Sequence, residues 1–187
     1  MLSDARKLRE MAGISVLAAT SAIITILPLE YPFPLLQFLK FDPFGVPSAL
    51  SAILYGPLNG VLCCLVVALV ITLRGDPIGA AFKFFAEGST VFLLALSLNF
   101  FMKRFKDRKM AVILSISISV FVRSISMSIF NLAFVPIIYS IPVEVVSGWL
   151  PLIFFFNVVQ GLITTVGSIL VFFRLPRDVI PNLWKKE

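Results

Sequence analysis

The sequence predicts an all-α integral membrane protein, a bundle of six transmembrane helices in which the second and third form a short, broken pair. Three observations carry that reading. The 187 residues are 59% hydrophobic and only 14% charged, with a mean hydropathy of +1.01, which is too apolar for a soluble chain of this length. Apolar runs recur along the whole chain and are separated by polar or proline-bearing breaks. The net charge of +6 is concentrated in short clusters between those runs, where membrane topology explains it better than a nucleic-acid-binding stripe.

The first span covers residues 12–29. The polar stretch MLSDARKLRE precedes it with no small-residue cleavage site, so the span is expected to be retained. Within it Ser15 with Ala19, and Ala18 with Ala22, are small-xxx-small pairs that let another helix approach closely. The connection EYPFPLLQFLKFDPFGVP follows. It is too rich in proline for a simple turn, because each Pro removes a backbone donor and restricts the residue before it. The connection is expected to lie over the outer face, with Tyr31, Phe33, Phe38, Phe41 and Phe44 supplying aromatic surface for the lipid interface or for a lid over a ligand.

The apolar run from Val46 to Leu73 is long for one span and short for two at about 1.5 Å per residue. YGPLNG interrupts it, and Gly56, Pro57, Asn59 and Gly60 predict a turn there, leaving spans 46–56 and 60–73. Charge decides for two. Only then do Arg6, Lys7 and Arg9, the KRFKDRK cluster at 103–109, and Arg174, Arg177, Lys185 and Lys186 share one side, with both termini cytoplasmic. The remaining spans are 78–102, 110–137 and 149–173. Residues 1–187 are read as a single multi-pass membrane domain, with no internal repeat.

Polar residues inside these spans are the functional clue. In PIGAAFKFFAEGSTVF, Lys83 and Glu87 stand one helical turn apart, and Arg123 lies near the middle of the next span. Charges at such depth cost several kcal/mol unless they pair or line a wet cavity. Antiparallel spans put Glu87 and Arg123 at comparable depth, which makes them a candidate structural ion pair. Lys83 sits nearer the outer end and either snorkels or enters a cavity open to the outside. Asn131 lies late in the fifth span, with Asn157 and Gln160 early in the sixth. Their carboxamides suit either an uncharged polar ligand or hydrogen bonds between helices.

Other chemistries are poorly served. The chain has no His, its two cysteines are the adjacent Cys63 and Cys64, and Glu87 is the one acid inside the spans, so catalytic and metal sites are not expected. A phosphate-binding loop of the G-x-x-x-x-G-K-[ST] type is also lacking. An intramembrane enzyme and a purely structural membrane protein stand as the competing classes.

The segment LKFDPFGVPSALSAILYGPLNGVL resembles the stretch around the second short helix of the substrate-binding (S) components of energy-coupling-factor (ECF) vitamin transporters. There an acidic residue and a Pro lead into a short helix that ends in Gly-Pro. PIGAAFKFF, FNLAFVPIIY and FFNVVQGLI are similar to segments of the riboflavin-specific branch, and the resemblance runs in order along nearly the whole chain. Two departures stand out. That branch typically has Gly-Glu-Leu-Ala-Asn-Phe where this chain has Gly79, Ala80, Ala81, Phe82, Lys83 and Phe84, and Phe-Asn-x-x-Lys where this chain has Gln160. The resemblance implies a vitamin-capture subunit in a prokaryotic cell membrane, with riboflavin or a related flavin as the expected ligand and, because a cation has moved from the sixth span to the fourth, a different vitamin or an anionic metabolite as the alternative. Its substrate-binding candidates are Lys83, Asn131, Asn157 and Gln160, joined by Lys40 and Asp42 from the external connection. It further implies a transmembrane coupling subunit, contacted through Ala18 and Ala22, two cytoplasmic ATPase subunits, and no cofactor, since bound riboflavin would be substrate.

Overall fold

The computed structural model describes residues 2–27 and 29–176. The chain forms α1 (Leu2–Ile26), a hairpin of β1 (Tyr31–Phe33) and β2 (Leu36–Phe41), and then α2 (Gly45–Tyr55), α3 (Pro57–Leu73), α4 (Pro77–Arg104), α5 (Arg108–Tyr139) and α6 (Val143–Arg174). The side chain of Arg6, and all of Arg177, Lys185 and Lys186, lie outside the described residues. Lys7, Arg9, the exposed 103–109 turn and Arg174 gather at one end of the bundle, and the hairpin caps the other.

Parts of α1, α4, α5 and α6 are long and apolar enough to cross a membrane. At 11 residues α2 is not, since it rises only about 16 Å against a hydrocarbon core of about 30 Å. It runs from the hairpin end toward Glu10 and Gly13 of α1, which Tyr55 meets, and α3 carries the chain back. The break between them is narrower than the turn expected over YGPLNG. Gly56 alone leaves the helix, with φ of 105° that a residue without Cβ adopts at no steric cost. Pro57 opens α3, where its missing N–H is no loss, and Asn59 and Gly60 lie inside that helix. The Asn59 amide donates to the Tyr55 carbonyl at 2.6 Å and so closes the frayed end of α2.

The proline-rich connection is an antiparallel hairpin, a feature its sequence conceals. Tyr31 pairs with Phe41 and Pro32 with Lys40, and the register slips between Pro32 and Phe33. Both strands are edges, so Pro32 can sit where no ladder bond is needed, and Pro34 falls in the turn. The aromatic residues divide by side of the hairpin. Phe33 and Leu36 are buried on Ile153 and Phe156 of α6, and the rings of Phe41 and Phe156 lie 4.6 Å apart, whereas Tyr31 and Phe38 are exposed. Burying Phe33 and Leu36 stabilises the cap by roughly 1.5–3 kcal/mol each.

The packing of α1 against α2 divides its small residues by face. Ser21, fully buried, donates to the Phe44 carbonyl at 3.1 Å and meets the Ser48 hydroxyl at 3.0 Å, which fixes the rotation of α1 against the start of α2. Ala18, one turn away on the same face, is therefore packed inside at 9% exposure, and Ala22 is half-buried. Of the four residues in the two small-xxx-small pairs, Ser15 and Ala19 are exposed.

A main apolar core of α2, α3, α4, α5 and α6, including Leu50, Leu94, Leu98, Ile169 and Phe172, fills the half of the bundle away from the hairpin. Toward the hairpin the interior turns polar.

Candidate functional site

Beneath the hairpin a cavity extends down to Glu87 and Arg123. Aromatic walls come from Phe38, Phe44, Phe82 and Phe156. All six residues expected to bind substrate line it, and so do both members of the expected ion pair.

An ionic ladder forms its upper part. Lys83, on the second turn of α4, meets Glu30 Oε1 at 2.9 Å and Asp42 Oδ2 at 2.8 Å, and Lys40 meets Glu30 Oε2 at 2.9 Å. The hairpin register makes this possible, because pairing Tyr31 with Phe41 sets Glu30, Lys40 and Asp42 at one end of the ribbon. Lys83 therefore does not snorkel. Its ammonium points inward over the Phe44 ring, 5.4 Å from the centroid, and two of its three N–H groups are taken by carboxylates. Glu30 escaped notice as a site residue because its partners lie ten and 53 positions away and the hairpin that joins them has no alternating pattern.

The lower part converges on Glu87, which is 2% exposed. Its Oε1 accepts from Arg123 at 2.8 Å and its Oε2 from the Thr164 hydroxyl at 3.0 Å. Arg123 also donates to Thr90 Oγ1 at 3.0 Å and to Asn157 Oδ1 at 3.3 Å. Three helices, α4, α5 and α6, thus share one buried charge pair. A fourth, α2, comes so close that a Cβ on Gly45 would press on Glu87 Oε2 and Thr164 Oγ1, so a larger residue there would displace the carboxylate from its partners.

The carboxamides differ in what they leave open. Gln160 is committed to the protein: its Nε2 donates to the Asp42 carbonyl at 2.7 Å and its Oε1 accepts from the Asp42 N–H at 3.3 Å, which clamps the chain entering α2. Asn157 Nδ2 donates back to the Ile153 carbonyl. Asn131 Nδ2 donates to the Met127 carbonyl at 2.8 Å, but its Oδ1 is buried without a partner, as is Asp42 Oδ1. Each such orphan costs about 1–3 kcal/mol in desolvation until something donates to it.

Burial pushes the Asp42 carboxyl up from 3.8 to about 6, even with Lys83 beside it. Burial also acts to raise Glu30, but hydrogen bonds from Lys83 and Lys40 outweigh it and hold that carboxyl below the usual carboxylate range. The signs give a prediction. Between pH 7 and 5 the folded protein binds more protons at Asp42 than the unfolded chain does, so the ligand-free protein should gain about 1 kcal/mol on acidification. Below the ordinary glutamate value of 4.5 the Glu30 contribution is lost and the trend reverses. Thermal melts across pH should show a maximum near pH 5, and Asp42→Asn should abolish the rise.

A bundle of apolar helices holding a cavity lined by aromatic, charged and carboxamide side chains under a hairpin cap is a membrane-embedded small-molecule binding protein. The comparisons with known proteins agree. Residues 9–176 match the model of the ECF transporter substrate-specific component family, and the chain belongs to that family. It is similar to the riboflavin transporter RibU of Staphylococcus aureus (strain TCH60), with 30% identity over 89% of this chain and 90% of that protein. It is also similar to the riboflavin transporter FmnP of Bacillus subtilis (strain 168), with 27% identity over 90% of this chain and 93% of that protein. Among solved structures, the S component of a bacterial ECF transporter superposes with a TM-score of 0.75 at 28% identity, covering 90% of this chain and 95% of that one.

Proposed function

We propose that the cavity captures riboflavin from the outer side of a cell membrane, with the hairpin end facing out and the basic end in the cytoplasm. The observation that carries this reading is the cavity's composition: flat aromatic walls for a fused-ring system, and unpaired polar atoms for its hydrogen-bonding groups. The names of both curated relatives support it. The positive-inside bias of Lys7, Arg9, the 103–109 turn and Arg174 supports the orientation.

The chain acts as a binding subunit, and ATP hydrolysis belongs to partners, a transmembrane coupling subunit and two cytoplasmic ATPases. Family membership supports such partners. The open small residues Ser15 and Ala19 on α1 are the surface for the coupling subunit, in place of the buried Ala18.

Lys83 offers the test. One ammonium N–H remains for a ligand acceptor, and a lost charged hydrogen bond costs about 1.5–3 kcal/mol, so Lys83→Met should weaken riboflavin binding roughly ten- to a hundredfold. Quenching of flavin fluorescence on titration reads the affinity directly. Unchanged affinity in the variant would remove Lys83 from the ligand's contacts, and a wild-type protein that quenches no flavin would overturn the reading.

A further inference from the structure

We propose that the turn joining α4 to α5 is a docking site for an anionic phospholipid of the leaflet that meets the basic end of the bundle. The inference stands apart from the cavity and holds whatever ligand the cavity captures.

Charge density is the first observation. KRFKDRK at 103–109 sets five cations against the single acid Asp107. That acid is committed to the fold, since its carboxylate accepts from the Lys109 N–H at 2.9 Å and caps α5. Lys103, Arg104, Lys106 and Lys109 are exposed, and among the described residues none of them has a carboxylate partner. Elsewhere the bundle pairs its cations, Lys40 and Lys83 with Glu30, and Arg123 with Glu87. Membrane topology asks only for an excess of positive charge on one side. It does not ask for four open cations on one short turn.

The second observation is apolar. Phe100, Phe101 and Phe105 run beside the cations in successive ring contacts, with centroids 5.3 and 5.6 Å apart, and Phe100 and Phe105 are exposed. Phe100 lies one helical turn, about 6 Å, deeper in the membrane than Arg104. Rings at that depth reach the acyl chains while the ammonium and guanidinium groups stand at headgroup level. A phospholipid matches both halves of this surface, with a phosphate for the cations and chains for the rings. A soluble anion would use only the first half. Lysine and arginine clusters next to a transmembrane helix draw anionic headgroups, each residue contributing about fivefold in affinity near the surface.

The experiment immobilises the purified protein, incubates it in detergent with equal amounts of phosphatidylglycerol and phosphatidylcholine, and quantifies the retained lipids by mass spectrometry. The wild type should retain the anionic lipid about tenfold or more over the zwitterionic one at about 0.1 M salt, and the preference should shrink at about 1 M. Equal retention by the wild type overturns the proposal without any variant. Inorganic phosphate in about tenfold excess over lipid should not displace phosphatidylglycerol, and displacement would reduce the turn to a simple anion site. Changing Lys103, Arg104, Lys106 and Lys109 together to Gln should lower the preference about tenfold or more, with a thermal melt in phosphatidylcholine close to that of the wild type. If that variant does not fold, Lys106→Gln with Lys109→Gln should still lower it about fivefold or more. Lys7→Gln with Arg9→Gln, on α1 at the same end, should leave it unchanged. An unchanged preference in the turn variants, or an equal loss in the α1 variant, overturns the assignment to this turn. A turn variant that keeps the lipid preference but no longer co-purifies with the coupling subunit overturns it in favour of that protein.

Discussion

Glu87→Gln should destabilise the protein by about 3–5 kcal/mol, because it leaves the Arg123 guanidinium buried among neutral groups at the centre of the bundle. Arg123→Met should cost a similar amount by stranding the Glu87 carboxylate. These are large effects because neither residue can reach water: Arg123 is 3% exposed and Glu87 2%. The glutamate is also the common acceptor for α5 through Arg123 and for α6 through Thr164, and it abuts α2 at Gly45. Neutralising both residues together should be milder than the sum of the single changes, since no unpaired charge is left behind. Denaturation of the four proteins in one detergent, analysed as a double-mutant cycle, measures the coupling, and strictly additive losses would contradict the pairing.

The second large effect concerns transport and separates two alanines that are neighbours in sequence. Ala19→Trp places bulk on the open face of α1, where a coupling subunit is proposed to approach, far from the cavity. Riboflavin uptake by cells carrying the complete transporter should fall to background, while the purified variant binds riboflavin within about twofold of the wild type, as expected for a surface change remote from the site. Ala18→Trp should behave differently. Its side chain would be driven into the α1 packing face beside Ser21, an overpacking that costs typically about 1–3 kcal/mol or more, so it should lower thermal stability before it touches coupling. Normal uptake by Ala19→Trp would move the coupling surface elsewhere on the bundle.

Much of this fold was legible in the sequence, because lipid imposes simple rules. Apolar runs long enough to cross, charge clusters on one side and a Gly-Pro break are direct consequences of backbone satisfaction and topology. Glu87 and Arg123 could be paired by depth alone, since two antiparallel helices leave few other partners for buried charges. What could not be read was anything set by rotation or by pairing across the chain. Ala18 and Ala19 lie on one small-residue stretch, and only the Ser21 contact with α2 decides which of them turns inward. Gln160 looked like a ligand contact, yet its two-point grip on the Asp42 backbone depends on where the hairpin delivers the chain. The hairpin itself was hidden because Pro32 and Pro34 break strand patterning, and with it went the role of Glu30 as counter-ion to both Lys40 and Lys83. The departure at position 83, a lysine where the resembling branch typically has an asparagine, is balanced locally by Glu30 and Asp42 and gives the cavity no surplus positive charge.

The central claim is that this cavity captures riboflavin, and the ligand that the protein itself retains tests it most directly. The protein should be expressed in cells, purified in detergent, and examined by absorbance and by mass spectrometry of the denatured supernatant. The expected result is a yellow protein releasing riboflavin in near-stoichiometric amount. A colourless protein that also fails to quench added riboflavin, or one that releases a different small molecule in stoichiometric amount, would contradict it.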